Sequence, residues 1–255
     1  MEAKKEWYME YEISKNRPGL LGDVASILGM LNINIVTING VDNMRRGMLL
    51  LTDDDEKIEV LRNVVQKMDK ITITRLRPPT MLDRLAVRHG RYIERDSEDK
   101  KTFRFVRDEL GLLVDFMAEI LKREGHQLIG IRGMPRVGKT ESIIAGSVCA
   151  KKRWTFVSST LLRQTIRNQM SADEMNVNNV FIIDGIMSTL RSTEKHDALL
   201  REVMALPATK VIEHPDIFIR ETEYTYDHFD LFIELRNTPD EEITYENIAH
   251  FDSGF

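Results

Sequence analysis

The residues best suited to chemistry lie in one eight-residue run, Gly133-Met134-Pro135-Arg136-Val137-Gly138-Lys139-Thr140, a complete G-x-x-x-x-G-K-[ST] spacing. Each residue type has a task there. Glycine lets the backbone curl until successive N–H groups face one point, which makes an anion nest. A helix beginning beside Lys139 adds its own N–H groups and the positive end of its dipole. Lys139 brings a mobile charge to the β- and γ-phosphates of a nucleotide, and the Thr140 hydroxyl is an oxygen ligand for Mg2+. The expected nucleotide contacts are Gly133, Arg136, Val137, Gly138, Lys139, Thr140 and Glu141.

A second run, Val180-Phe181-Ile182-Ile183-Asp184-Gly185, reads as an apolar strand ending in a carboxylate, 44 residues after Thr140. Open α/β sheets bind ligands at the carboxyl ends of their strands. Asp184 is therefore expected to face the Mg2+ held by Thr140, and its other reading is a helix or turn cap. The run N-K-x-D that selects guanine is missing from the sequence, which tilts the nucleotide toward ATP.

The loop needs a strand before it and a helix after it, and the surrounding pattern supplies both. Leu128 to Ile131 is a short apolar run, and Thr140 to Cys149 reads as a helix. Further strands are expected at Phe156–Val157, Val180–Ile183, Lys210–Ile212 and Phe229–Leu235, with helices over Leu161–Met170 and Glu194–Leu206. Five strands with helical crossovers predict a three-layer α/β domain over residues 126–255, with a mostly parallel five-stranded sheet. The first 77 residues read differently. Trp7–Ser14, Ile33–Ile38, Met48–Leu51 and Ile71–Leu76 are strand candidates, and apolar stripes at Leu20–Leu31 and Ile58–Met68 are helical. This βαββαβ order predicts a ferredoxin-like unit, two helices on one side of a four-stranded antiparallel sheet. Residues 78–125 are expected to be a polar linker, with Met81, Leu82, Leu85 and Val87 marking one short helix, followed by a connecting helix over Phe103–Arg123.

Two resemblances follow from these runs. The C-terminal domain resembles the small P-loop kinases of the zeta-toxin, gluconate-kinase and 2-phosphoglycerate-kinase group. It does so at the Gly133–Thr140 loop, at Ser158-Ser159-Thr160-Leu161-Leu162-Arg163-Gln164-Thr165-Ile166-Arg167 and at Ile182-Ile183-Asp184-Gly185. The resemblance implies ATP-dependent phosphoryl transfer with Lys139, Asp184 and Arg163 as catalytic groups. In that group the second strand ends in an acid that addresses the acceptor hydroxyl, whereas this chain has Thr160 there. Threonine is no general base at neutral pH, so a nucleotide-binding regulatory switch acting through a protein partner stands as the alternative. The first 77 residues resemble an ACT domain, at Asn16-Arg17-Pro18-Gly19-Leu20-Leu21 and Asn32-Ile33-Asn34-Ile35. That resemblance implies a homodimer and a small-molecule effector, with an amino acid among the candidates, held at Asn16, Gly19, Leu20 and Asn34. Asn16 also reads as a helix cap.

The bulk properties agree with an intracellular, cytoplasmic regulator. A single cysteine, Cys149, permits no internal disulfide, and a hydrophobic content of 42% is enough for real cores. The formal net charge of −5 and the lack of a long basic tract argue against a nucleic-acid surface. No apolar run is long enough to span a membrane, and the six histidines show no metal spacing.

Overall fold

The computed structural model describes residues 4–160, 162 and 165–243. The chain divides into two compact units, Met1–Ile93 and Glu94–Phe255.

In the first unit the elements are β1 (Lys5–Ile13), α1 (Leu20–Met30), β2 (Asn34–Gly40), β3 (Arg45–Thr52), α2 (Glu56–Val65), β4 (Ile71–Arg77) and α3 (Met81–His89). The strands form an antiparallel sheet in the order β2-β3-β1-β4, which is the expected βαββαβ unit. Strand alternation sorts its residues by face. Met9, Tyr11, Met48 and Leu50 join Val24 and Leu28 of α1 and Ile58, Leu61 and Val65 of α2 in one core. Tyr8 and Leu49, of opposite parity, meet Val41 and the α3 residues Ala86 and Val87. Helix α3 covers the short helix expected at Met81, Leu82, Leu85 and Val87, and it packs on the sheet of this unit instead of lying free in a linker. It starts in a capping box: Asp83 N–H donates to Thr80 Oγ1 (3.3 Å) and Thr80 N–H to Asp83 Oδ2 (2.7 Å). The same carboxylate takes a bidentate contact from Arg77 (2.6 and 2.9 Å). Glu10 is buried on this face, and it accepts from Tyr8 OH (2.9 Å), Thr74 Oγ1 (2.6 Å) and Arg75 Nη1 (3.2 Å).

The second unit opens with β5 (Glu94–Arg95), β6 (Thr102–Val106) and α4 (Leu110–Leu121). The connecting helix expected over Phe103–Arg123 is therefore a strand followed by a shorter helix. Its β-favouring start, Thr102-Phe103-Arg104-Phe105-Val106, is taken up by the sheet edge. There follow β7 (Gln127–Arg132), α5 (Lys139–Cys149), β8 (Arg153–Phe156), β9 (Ser158–Ser159), β10 (Thr165–Ile166), β11 (Asn179–Asp184), α6 (Gly185–Leu190), α7 (Glu194–Ala205), β12 (Thr209–Glu213), α8 (Pro215–Glu221) and β13 (Leu231–Arg236). Among the described residues the main sheet has seven strands, in the order β5-β6-β13-β7-β12-β11-β8. The five expected strands are its contiguous block from β13 to β8, and β5 and β6 extend the edge. Every pairing is parallel except β5 with β6. The helix expected over Leu161–Met170 is absent from the described residues of that stretch, where β10 pairs antiparallel with β9.

Both faces of the sheet are covered, as a parallel sheet requires. Leu128, Phe181, Ile183, Ile212 and Phe232 pack with α7 and Phe218 of α8. Ile129, Ile131, Ile182, Val211 and Ile233, of opposite parity, are equally buried.

Candidate functional site

Because β7, β12, β11 and β8 run parallel, their carboxyl ends share one edge. The run Gly133 to Thr140 connects β7 to α5 at that edge. Its turn is built from unusual backbone. Gly138 has φ +111° at the N-cap of α5, and Arg136 has φ +64°. A Cβ on Gly133 would lie 2.5 Å from the Leu235 carbonyl oxygen of β13, so only glycine lets the loop leave the sheet so close to its neighbour. Arg132, immediately before it, is clamped. Its guanidinium meets both Asp216 oxygens (2.8 and 2.8 Å), lies 3.5 Å from Glu234 and stacks 4.5 Å from the Phe232 ring centre.

Within the loop Val137 is buried, and the Arg136 carbonyl accepts from Arg107 Nη1 (3.2 Å). Glu141 is exposed in the first turn of α5. Lys139 is buried, and its Nζ donates to the Gly133 (2.8 Å) and Met134 (3.0 Å) carbonyls. Burial lowers its pKa, against the opposing pull of Glu213, Asp184 and Glu141.

The carboxylate against Thr140 is Glu213. Thr140 Oγ1 donates to Glu213 Oε1 (2.5 Å) from the last residue of β12. Burial pushes the Glu213 carboxyl up to about 7, and the neighbouring charge of Asp184 adds to the rise. Sequence reading had set the Asp184 strand beside the loop, but β12 lies between β7 and β11. The signal that could have found Glu213 was the same one used for Asp184: Val211-Ile212-Glu213 is also an apolar strand ending in an acid. Next along the chain, His214 is buried with φ +55°, and burial together with the Lys139 charge pushes its pKa down to about 4.

Asp184 is fully buried and caps α6. Its Oδ1 accepts from Ile186 N–H (3.0 Å) and Met187 N–H (3.1 Å), and its Oδ2 from Thr160 N–H (3.2 Å) and Thr160 Oγ1 (2.8 Å). Glycine follows it for a steric reason, since a Cβ on Gly185 would meet the His214 and Glu213 carbonyls at 2.7 and 2.8 Å. Behind Asp184 runs a buried chain of hydroxyls. Asp184 N–H donates to Ser158 Oγ (2.9 Å), Ser158 and Ser188 hydroxyls touch (2.7 Å), and Ser188 Oγ lies 3.0 Å from His196 Nε2. Arg163, expected to serve catalysis, lies outside the described residues.

The arrangement joins a glycine-containing turn, a buried lysine and two acid–hydroxyl pairs whose acids end adjacent strands. A separate cavity of about 280 Å³, lined by Arg153, Trp154, Thr155, Asp173, Glu174 and Asn179, is at the opposite edge, where β8 and β11 begin.

In the first unit the expected effector residues are not brought together. Gly19, with φ +83°, is the N-cap of α1, Leu20 is buried, and Asn16 is exposed and does not cap the helix. Asn34 starts β2 opposite Leu51, which pairs with Glu6 near the beginning of β1, whereas Asn16 follows the end of β1 at Ile13. Seven residues of strand separate the two levels, about 23 Å at roughly 3.3 Å per residue.

Residues 73–254 match a family model described as "Protein of unknown function (DUF3388)". The chain is similar to "Uncharacterized protein YmfK" of Bacillus subtilis (strain 168), with 69% identity over 245 residues, 96% of this chain and 91% of the relative. Among solved structures, phospho-2-dehydro-3-deoxyheptonate aldolase of Thermotoga maritima aligns with a TM-score of 0.23 and 12% identity, over 82% of this chain and 69% of that one. BlrP1 of Klebsiella pneumoniae aligns with a TM-score of 0.25 and 9% identity, over 82% of this chain and 75% of that one. Similarity this low carries no argument about fold or function.

Proposed function

This chain belongs to the DUF3388 family, and we propose that its C-terminal unit is a P-loop domain that binds Mg·ATP and carries out phosphoryl transfer or hydrolysis. The observation that carries the reading is the pair of contacts at the loop. Lys139 Nζ rests on the loop carbonyls, and Thr140 Oγ1 donates to a carboxylate at the end of the adjacent strand. A lysine held where phosphates would replace backbone carbonyls is poised for a nucleotide. The donor set of a threonine hydroxyl and a glutamate carboxylate is all oxygen, as Mg2+ prefers. Thr140 and Glu213 would hold the ion, and Mg2+ would neutralise charge on the triphosphate. Asp184 is left out of that set because its oxygens already accept four hydrogen bonds.

The N-terminal unit is read as an ACT-type regulatory domain, a homodimer module that takes a small effector such as an amino acid. Asn16 and Asn34 stand at opposite ends of one sheet, so a shared ligand at both would need the two residues to come from different copies. A cytoplasmic setting fits the lone exposed cysteine. The second reading, a nucleotide switch with little turnover, is favoured by Thr160 at the position where the resembling kinases carry an acid.

Calorimetric titration of Mg·ATP into the purified protein tests the reading. Saturable binding is expected, weakened more than about tenfold by Lys139→Ala and made less dependent on Mg2+ by Glu213→Gln. A folded protein that takes up no ATP at millimolar concentration would sink it.

A further inference from the structure

We propose that the Thr160 hydroxyl is itself a phosphoryl acceptor, modified by the triphosphate bound at the glycine-rich loop of the same chain. The inference rests on the nucleotide-binding reading above and names a substrate for that site.

Two acid–hydroxyl pairs stand side by side at the carboxyl edge of the sheet. Thr140 Oγ1 donates to Glu213 Oε1 at the end of β12 (2.5 Å), and Thr160 Oγ1 donates to Asp184 Oδ2 at the end of β11 (2.8 Å). Asp184 and Glu213 are register partners on adjacent parallel strands. Their backbones are therefore about 4.8 Å apart, and their side chains leave the sheet on the same side. The first pair belongs to the loop. The second presents a half-buried hydroxyl that the loop itself does not use.

Asp184 is oriented as the base for this one hydroxyl. Two N–H groups of α6 fix its Oδ1, and Thr160 N–H joins the hydroxyl on Oδ2. The serine–serine–histidine chain holds the Asp184 backbone from behind. A hydroxyl whose proton already points at a carboxylate keeps its oxygen lone pairs for an electrophile. In the step, Thr160 Oγ forms a bond to the γ-phosphorus and the bond from that phosphorus to the β,γ-bridging oxygen breaks. Nucleoside diphosphate leaves, and the hydroxyl proton passes to Asp184 Oδ2.

The test incubates the full-length protein with Mg·ATP labelled at the γ-phosphate and locates the label by intact mass and peptide mapping. One phosphoryl group is expected on the peptide that contains Thr160. Thr160→Val and Asp184→Asn should lose the label by more than about tenfold, and Thr160→Ser should keep it, which separates a lost acceptor from a lost fold. In a mixture of Lys139→Ala and Thr160→Val chains neither should be labelled, because transfer stays within one chain. Label on another residue that survives Thr160→Val, label on the Lys139→Ala chain in the mixture, or saturable Mg·ATP binding without transfer would each overturn the acceptor while leaving nucleotide binding intact. A folded protein that fails to bind Mg·ATP would overturn both.

Discussion

Two residues separate what local chemistry asks for from what the fold tolerates. Gly133 is required by contact with another strand, since a Cβ there would press on the Leu235 carbonyl at 2.5 Å. Gly133→Ala is expected to lower stability by about 1–3 kcal/mol and to weaken Mg·ATP binding. The urea midpoint reads the first effect, and an unchanged midpoint would mean that the loop relaxes at no cost. Lys210 is the opposite case, a fully buried lysine at the start of β12 with no carboxylate against it among the described residues. Its Nζ meets the Leu206 carbonyl and His126 Nδ1 (3.0 Å), and burial pulls its pKa from 10.5 down to about 8. Between those two values the unfolded chain binds more protons than the folded one. Stability should therefore rise with pH from about 8 to 10.5, with the cost of the charge fully present below 8. Lys210→Met is expected to remove that slope and to gain about 1–3 kcal/mol at pH 7. Unfolding free energies measured from pH 7 to 10.5 decide it, and a slope that persists in the variant would clear Lys210 as the source.

At the scale of elements, the clearest lesson comes from α3. Thr80-Met81-Leu82-Asp83 is a capping-box spacing readable without a structure, and the apolar spacing of Met81, Leu82, Leu85 and Val87 marks the helix, but the surrounding charge hides its packing on the sheet. The helix persists because Ala86 and Val87 cover a sheet face that would otherwise be wet. Thr80→Ala removes one side of the cap and leaves Asp83 with fewer donors, so a loss of about 1 kcal/mol is expected. Chemical denaturation checks this value, and no change would mean that Arg77 alone holds the helix start. The stretch after β9 errs in the other direction. Leucines and isoleucine at helical spacing suggested a helix, but Thr165–Ile166 pair back on Ser158–Ser159, and two β-branched residues in a row favour that outcome.

Each of the two units has a sheet and a buried core of its own. A segment covering residues 1–93 is expected to fold alone, with one cooperative unfolding transition by circular dichroism. A segment ending at 77, which strips α3 from Tyr8, Val41 and Leu49, should be less stable by several kcal/mol, on the order of two large side chains left exposed. Equal stability of the two segments would contradict the place given to α3. The ferredoxin-like order, the strand–loop–helix around Gly133 and all five strands of the central sheet block were legible in the sequence. They follow from periodicity and from glycine and lysine at fixed spacing, which act over a few residues. Strand order was not legible, because it depends on which apolar edges find each other across long stretches of chain. That order set β12 between β7 and β11, and so put Glu213 rather than Asp184 against Thr140. It also turned Asp184 into a cap facing Thr160, and it set Asn16 and Asn34 at opposite ends of their sheet. Local sequence determined which groups can do chemistry; tertiary pairing alone decided which of them meet.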